Sequence, residues 1–299
     1  MAQSPSHKFG QIIGAILEEA VRPLLQQFAD QHGLYLDKKG RRPARSGTKV
    51  SWIDEFGNKH DLDYVLERGG TAGRIGTPVA FIETAWRRYT KHSRNKAQEI
   101  QGSILPLAAT HRNAIPFIGV VLAGFFTDGA SEQLRSLGFA IIHFPYGRVV
   151  DAFRLVGIDA CFDEDTADIE VEHKVRAWES LPASDHTLVA QALIESDWSQ
   201  VQCFMQALER SVTRQIAAVL VMPLHGVSSE WRSVAQAIQF VENYNEDGGL
   251  KPIVRYEIQV RYNNGDSIKA ELTTRDGAID FLRGYLPPWP YAKSPQGNG

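Results

Sequence analysis

The sequence predicts an α/β protein with a central mixed β-sheet flanked by helices. The segments Lys49 to Phe56 and Lys59 to Glu67 meet at a Gly-Asn turn, which predicts an antiparallel hairpin. The run Pro78 to Ala85 is apolar on both faces, as in a strand covered on each side. Further along, Ile115 to Ala123 and Phe139 to Phe144 are buried-strand patterns separated by a short helical segment, which indicates a parallel pair. The sheet should therefore contain strands of both orientations.

The remaining elements follow from the spacing of apolar residues. An opening helix is predicted from Phe9 to His32, with Pro23 inside it. We expect an α/β core over residues 1–150 and a mainly helical, hairpin-containing C-terminal region over residues 151–299. The other predicted elements are helices at Tyr89–Ala109, Ser131–Leu137, Val171–Leu181, Thr187–Glu195, Trp198–Ile216 and Trp231–Tyr244, a strand at Ala217–Met222, a hairpin of Ile253–Tyr262 with Ser267–Thr273, and a helix that runs to Leu286.

Composition limits the classes of protein that this chain can represent. Lys and Arg number 32 against 35 Asp and Glu, a formal net charge of -3, so nucleic-acid binding would depend on local basic patches. The two cysteines, Cys161 and Cys203, stand in no CxxC pair, which argues against a thiolate zinc site or a disulfide scaffold. The first residues form no apolar signal core, and no apolar run approaches the ~20 residues that span a bilayer. We expect a cytoplasmic protein without a membrane segment.

Acidic residues occupy two neighbouring predicted strands. Strand alternation sends Asp61, Asp63 and Glu67 to one face of the second strand. Glu83 ends the apolar run of the third strand, where an ionised carboxylate costs several kcal/mol unless a cation or donor compensates it. A divalent metal ion shared with Asp63 would be such a partner.

The order of elements, together with the segments HDLDYVLE, VAFIETAW and KAQEIQGSI, resembles the PD-(D/E)XK nuclease superfamily over residues 9–144. That superfamily includes many restriction endonucleases. The resemblance implies that Asp63, Glu83 and the carbonyl of Thr84 hold Mg²⁺, and that the chain is a Mg²⁺-dependent endonuclease of restriction type. It also implies duplex DNA as substrate, a homodimer, and a C-terminal region that serves DNA recognition or dimerisation.

Two positions depart from the pattern of the superfamily. Ala85 stands where the superfamily has its catalytic lysine, and Leu62 stands where it has proline. A basic segment follows the third strand and begins the next helix, so it can supply a displaced lysine. We predict Lys96 first and Lys91 second for this role, because a cation there can stabilise charge on the transferring phosphate. Accessory candidates are Glu18 on the first helix, Asp61, Arg94, and the helix residues Gln98 and Gln101.

Three alternatives stay open. The basic segment can be a solvated helix face, which is the usual behaviour of a charge run. Ala85 favours a non-catalytic member of the same fold that binds nucleic acid or a partner in a defence system. A third interpretation is an unrelated α/β enzyme in which Glu83 is a lone general acid. The basic segment of residues 37–47 is predicted to be an exposed loop, either solvated or in contact with a DNA backbone.

Overall fold

The structure is a computed structural model. It describes residues 4–89, 93–112, 114–224, 226–247 and 255–286. The chain forms two compact units that divide between Val212 and Thr213. This division lies later than the one predicted at residue 150, because the helices that follow residue 150 pack against the opening helix and the sheet of the first unit.

Fourteen elements are described in the first unit. They are α1 (Pro5–Gln31), β1 (Leu34–Lys38), β2 (Val50–Ile53), β3 (Lys59–Leu62), β4 (Tyr64–Arg68), β5 (Thr77–Arg87), α2 (Ser93–Thr110), β6 (Phe117–Gly124), α3 (Asp128–Ser136), β7 (Ala140–Pro145), α4 (Tyr146–Arg154), α5 (Asp168–Glu179), α6 (Ala183–Glu195) and α7 (Trp198–Val212).

The first unit is built on a five-stranded mixed sheet of order β1-β4-β5-β6-β7. β4 is antiparallel to β1 and to β5, whereas β5, β6 and β7 run parallel to one another. One apolar cluster joins the sheet to α1 and to the helices α4 to α7, and a second joins it to α2 and α3. The predicted α/β class, with a mixed central sheet flanked by helices, is confirmed.

α1 shows how the sequence sets one of these layers. Ser4 caps its first turn by accepting a hydrogen bond from the backbone N–H of His7 at 3.3 Å, and Pro5 follows at a position where no backbone N–H is needed. Its buried stripe, which includes Phe9 and Leu17, packs on the sheet. The helix begins four residues before the predicted start and continues through Pro23.

The prediction of a single strand from Lys59 to Glu67 is wrong, because the strand is interrupted at Asp63 and divides into β3 and β4. β3 pairs with β2 in a separate two-stranded hairpin, whereas β4 belongs to the main sheet. The pairing of β4 with β5 also shifts register between Leu66 and Glu67. Both irregularities interrupt the alternation of side chains between the two faces of a strand. The prediction that Asp61, Asp63 and Glu67 share one face is therefore wrong.

The segment of residues 37–47 also differs from the prediction of an exposed loop. Asp37 and Arg42 are buried, and Arg42 lies 2.8 Å from Asp37 and 2.5 Å from Glu67. Arg45 lies 3.1 Å from the same Asp37 carboxylate. At least two of the basic side chains in this segment therefore hold the sheet edge together through buried ion pairs.

In the described part of the second unit, a four-stranded antiparallel sheet of order β11-β10-β8-β9 is accompanied by two helices. Its β10–β11 pair corresponds to the predicted C-terminal hairpin. The described elements are β8 (Ile216–Pro223), β9 (Ser229–Trp231), α8 (Val234–Asn243), β10 (Tyr256–Tyr262), β11 (Ser267–Leu272) and α9 (Arg275–Arg283). Within the described ranges, no helix combines the length and apolarity needed to cross a bilayer.

Candidate functional site

Asp63, which lies between β3 and β4, is placed opposite Glu83 of β5. Tyr64 begins β4 and pairs with Ile82 of β5, so the residue before Tyr64 faces the residue after Ile82 across the antiparallel pair. Thr84, the residue after Glu83, donates a hydrogen bond to the Asp63 carboxylate, and the negative charge of Asp63 acts on the Glu83 carboxyl. The structure therefore brings together the two residues that the sequence predicted as metal ligands. It does so although Asp63 does not lie on the strand face that was predicted for it.

Thr84 fixes the orientation of the Asp63 carboxylate. Its backbone N–H donates to Asp63 Oδ2 at 2.7 Å, and its hydroxyl donates to the same oxygen at 2.8 Å. Two donors on a charged acceptor hold the side chain in one rotamer. Thr84 was predicted to act through its carbonyl; the structure adds a positioning role for its N–H and its hydroxyl.

The carboxyl group of Glu83 is buried and has a strongly raised pKa. Its side chain is 8% exposed. Burial, and then the negative charge of Asp63, raise its pKa to about 9, while the charge of Lys96 acts in the opposite direction. Near neutral pH the Glu83 carboxyl therefore keeps a proton unless a cation replaces it.

A third carboxyl group comes from α1. Glu18 is half-buried, and its pKa is raised first by burial and then by the charge of Asp63, while Lys39 and Arg22 oppose the rise. The Tyr64 hydroxyl donates to the Glu18 carbonyl at 2.8 Å and ties this turn of α1 to β4. Glu18 was predicted as an accessory residue, and the structure places it on the turn of α1 that contacts β4.

Lys96 lies in the first turns of α2 and supplies the cation of the group. Its side chain is 21% exposed, and its Nζ lies 3.4 Å from Oε2 of Glu99. Its charge acts to lower the pKa of Glu83. Ala85, at the position of the missing lysine, is 5% exposed and belongs to the apolar cluster beneath α2. Lys91, the second choice, lies outside the described residues.

The other predicted accessory residues differ in their placement. Asp61 does not join the pair, because it bonds Lys49 at 2.7 Å and Ser51 at 2.6 Å on the β2–β3 hairpin. Arg94 and Gln98 are exposed on α2. The side-chain oxygen of Gln101, also on α2, accepts a hydrogen bond at 3.2 Å from Gln133 of α3.

A cavity of about 530 Å³, which we call the β5 cavity, adjoins the site. It is formed by the end of β5, the first turns of α1 and α2, and Phe162. Its lining residues include His7 and Gln11 of α1, Thr84, Arg87 and Arg88 at the end of β5, and Lys96 of α2.

A glycine holds the strand end that forms this cavity. Gly124 ends β6 at φ 93°, and a Cβ there would lie 2.1 Å from the Arg87 carbonyl oxygen and 2.7 Å from the Trp86 ring. The next residue, Phe125, donates its backbone N–H to that Arg87 carbonyl at 2.8 Å. Only glycine meets both the positive φ and the close approach.

The donor set fits a magnesium ion in kind. Mg²⁺ is usually held by one or two carboxylates while it keeps several waters and contacts substrate phosphates. Asp63 and Glu83 supply such a carboxylate pair. Among the described residues, no group of three or more His, Cys, Asp or Glu side chains has the arrangement of a metal cage.

Comparisons with known proteins add little to this description. No protein-family model matches the chain. No curated protein matches it either. One matching solved structure is the crystal structure of a protein of unknown function, AF1548, at 11% identity and a TM-score of 0.29, covering 64% of this chain and 99% of that chain.

Proposed function

We propose that this chain is a Mg²⁺-dependent endonuclease of restriction type, with a PD-(D/E)XK core that hydrolyses phosphodiester bonds of DNA. The observation that carries the proposal is the position of Asp63 opposite Glu83, next to the Tyr64–Ile82 pair, with its carboxylate bonded to the neighbouring Thr84. Neighbouring carboxylates that are both ionised repel each other, and a divalent cation removes this repulsion. In a metal-dependent hydrolase, this pair of carboxylates would bind the metal ion.

The division of tasks among the residues follows from their contacts. Asp63, held by Thr84, and the buried Glu83 would bind Mg²⁺. A bound Mg²⁺ supplies Lewis-acid activation of the attacking water and of the phosphate oxygens. Lys96 takes the place of the lysine absent at Ala85, and its ammonium group stabilises negative charge that develops on the transferring phosphate.

Duplex DNA and a homodimer belong to the same proposal. They follow from the resemblance to restriction endonucleases, in which two strands must be cut. The C-terminal region would then supply DNA recognition or contacts between two copies of the chain.

The proposal is tested by incubating the purified chain with plasmid and with genomic DNA, in Mg²⁺ and then in EDTA. We expect discrete cleavage in Mg²⁺, none in EDTA, and none from Glu83→Gln. Glu195→Gln is the matched control, because Glu195 is an exposed glutamate on α6, and it should cut like the wild type. Cutting that persists in EDTA, or in Glu83→Gln, would overturn the assignment.

A second candidate is a non-catalytic protein of the same fold that binds nucleic acid or a defence-system partner. The buried alanine at position 85 favours it, since nothing at that position can act on a phosphate. The cleavage assay together with a DNA mobility-shift assay separates the two candidates. DNA binding without cleavage in Mg²⁺ supports the second.

A further inference from the structure

The β5 cavity has the size of a small-ligand site. Such sites commonly enclose about 300–1,000 Å³, and this cavity encloses about 530 Å³. Thr84, which positions Asp63, lies in its wall, so the cavity adjoins the proposed catalytic pair. A group bound in the cavity would therefore lie beside the reaction centre.

The charged side chains that line the cavity are all basic. Arg87, Arg88 and Lys96 line it, and none of the described lining residues is acidic. Glu99 approaches Arg87 at 3.6 Å and Lys96 at 3.4 Å, but its side chain is 59% exposed and lies outside the lining. Solvent therefore weakens this compensation, and the lining keeps an excess of basic side chains.

Arg88 provides the most specific signal for an anion. Its guanidinium group lies 4.3 Å from the ring centroids of both Tyr89 and Phe162, which fixes its plane. Its Nη1 is buried and has no hydrogen-bond partner among the residues that the structure describes. The charge of Arg88 contributes to lowering the pKa of Asp163. Among the described residues, no ion pair within 4.0 Å joins these two side chains. A buried guanidinium nitrogen without an acceptor is costly, and a phosphate oxygen would satisfy it.

The start of α1 adds a second contribution to anion binding. This helix of 27 residues has no acidic side chain in its first turn, and its residues Ser6 and His7 line the cavity. The positive end of the helix dipole and these polar side chains favour a negative charge there.

The geometry points to a bound terminal phosphate: we propose that the β5 cavity binds the phosphomonoester at the end of a nucleic-acid strand. The inference rests on the proposed function for its nucleic-acid substrate. A monoester carries about -1.5 to -2 charges near neutral pH, which suits three cations better than the single charge of an internal phosphodiester. A strand end can also enter a cavity, whereas an internal phosphate continues into sugar on both sides.

The test measures binding in EDTA, so that cleavage plays no part. Fluorescence anisotropy compares three oligonucleotides of one sequence, with a 5′-phosphate, a 3′-phosphate or hydroxyls at both ends. We expect one phosphorylated end to improve affinity by about tenfold or more, as for hydrogen bonds to charged groups. Inorganic phosphate should compete this gain away. Equal affinity for all three oligonucleotides in the wild-type chain would overturn the inference.

Variants assign the effect to the cavity. Arg88→Met should remove the preference for a phosphorylated end, whereas Arg210→Met, at an exposed arginine of α7 outside the lining, should keep it. If Arg88→Met does not fold, Arg88→Lys, which keeps the charge, should retain a reduced preference. An Arg88→Met variant that weakens all three oligonucleotides equally would indicate an internal phosphodiester and overturn the terminal assignment.

The outcomes separate this inference from the proposed nuclease activity. An end preference in EDTA without DNA cleavage in Mg²⁺ supports the phosphate site and contradicts the nuclease. Cleavage in Mg²⁺ without an end preference in EDTA does the opposite.

Discussion

Thr84 donates two hydrogen bonds to one oxygen of Asp63, one from its backbone N–H at 2.7 Å and one from its hydroxyl at 2.8 Å. This contact joins β5 to the residue between β3 and β4. It orients the carboxylate at the point where the chain leaves the β2–β3 hairpin and enters the main sheet. The irregular backbone at Asp63 and the regular strand at Thr84 together form the site.

Thr84→Val removes the hydroxyl donor and keeps the backbone N–H. We expect a loss of about 1 kcal/mol in the free energy of unfolding, and weaker divalent-metal binding because the carboxylate gains rotational freedom. Urea unfolding and metal titration measure the two effects. Thr187→Val is the control, since the exposed Thr187 bonds only a carbonyl of its own helix among the described contacts. Unchanged metal affinity in Thr84→Val would remove the positioning role.

The pKa of Glu83, raised to about 9 from an ordinary 4.5, makes stability depend on pH. Between these values the folded protein holds a proton that the unfolded chain releases. The stability that this proton supplies is fully present below pH 4.5 and is lost as the pH rises to about 9.

In EDTA, the unfolding free energy should therefore fall with pH across this window, by up to about 1.4 kcal/mol per pH unit. Glu83→Gln cannot release the proton and should show a flatter profile, while Glu195→Gln should follow the wild type. Denaturant unfolding at several pH values measures this. Parallel profiles for the wild type and Glu83→Gln would contradict the assigned pKa shift.

Lys96→Met tests the displaced lysine. Loss of a cation that stabilises the transferring phosphate should slow cleavage by about a hundredfold or more. Lys174→Met is closely matched, because Lys174 is 11% exposed and pairs with Glu170 on its own helix at 3.2 Å, much as Lys96 pairs with Glu99. Lys174→Met should cut at nearly the wild-type rate, as measured by single-turnover cleavage. Full activity in Lys96→Met would leave Lys91 as the predicted lysine.

Arg42→Met tests the buried network at the sheet edge. It leaves Asp37 and Glu67, which are 2% and 0% exposed, without this cation. The expected loss in unfolding free energy is about 3–5 kcal/mol. The double variant Arg42→Met, Glu67→Leu should lose less than the sum of the two single variants, because it removes one of the uncompensated charges. Additive losses in urea unfolding would show that Arg42 and Glu67 are not coupled.

The sequence was most informative where local pattern and tertiary structure agree. The apolar run of β5 and the helical spacing of α2 predicted a covered strand, with Glu83 near its end, followed by a helix that carries Lys96. The Gly-Asn turn predicted the β2–β3 hairpin. These features depend on residues close together in the chain.

Features that depend on distant residues were not predictable. β1 exists because it pairs with β4, and Arg42 is buried because Asp37 and Glu67 come from two strands. The break at Asp63 follows from β3 and β4 joining different sheets, which alternation along one strand cannot reveal. α4 begins at Tyr146, directly after β7, with Gly147 in its first turn, so no loop signal or strong helix propensity marks its start.

The central claim is that Asp63 and Glu83 share one divalent ion. Electron paramagnetic resonance of Mn²⁺ titrated into the purified chain counts bound ions directly. We expect a Mn²⁺ site that is lost in both Asp63→Asn and Glu83→Gln and kept in Glu195→Gln. Undiminished Mn²⁺ binding in both Asp63→Asn and Glu83→Gln would contradict it.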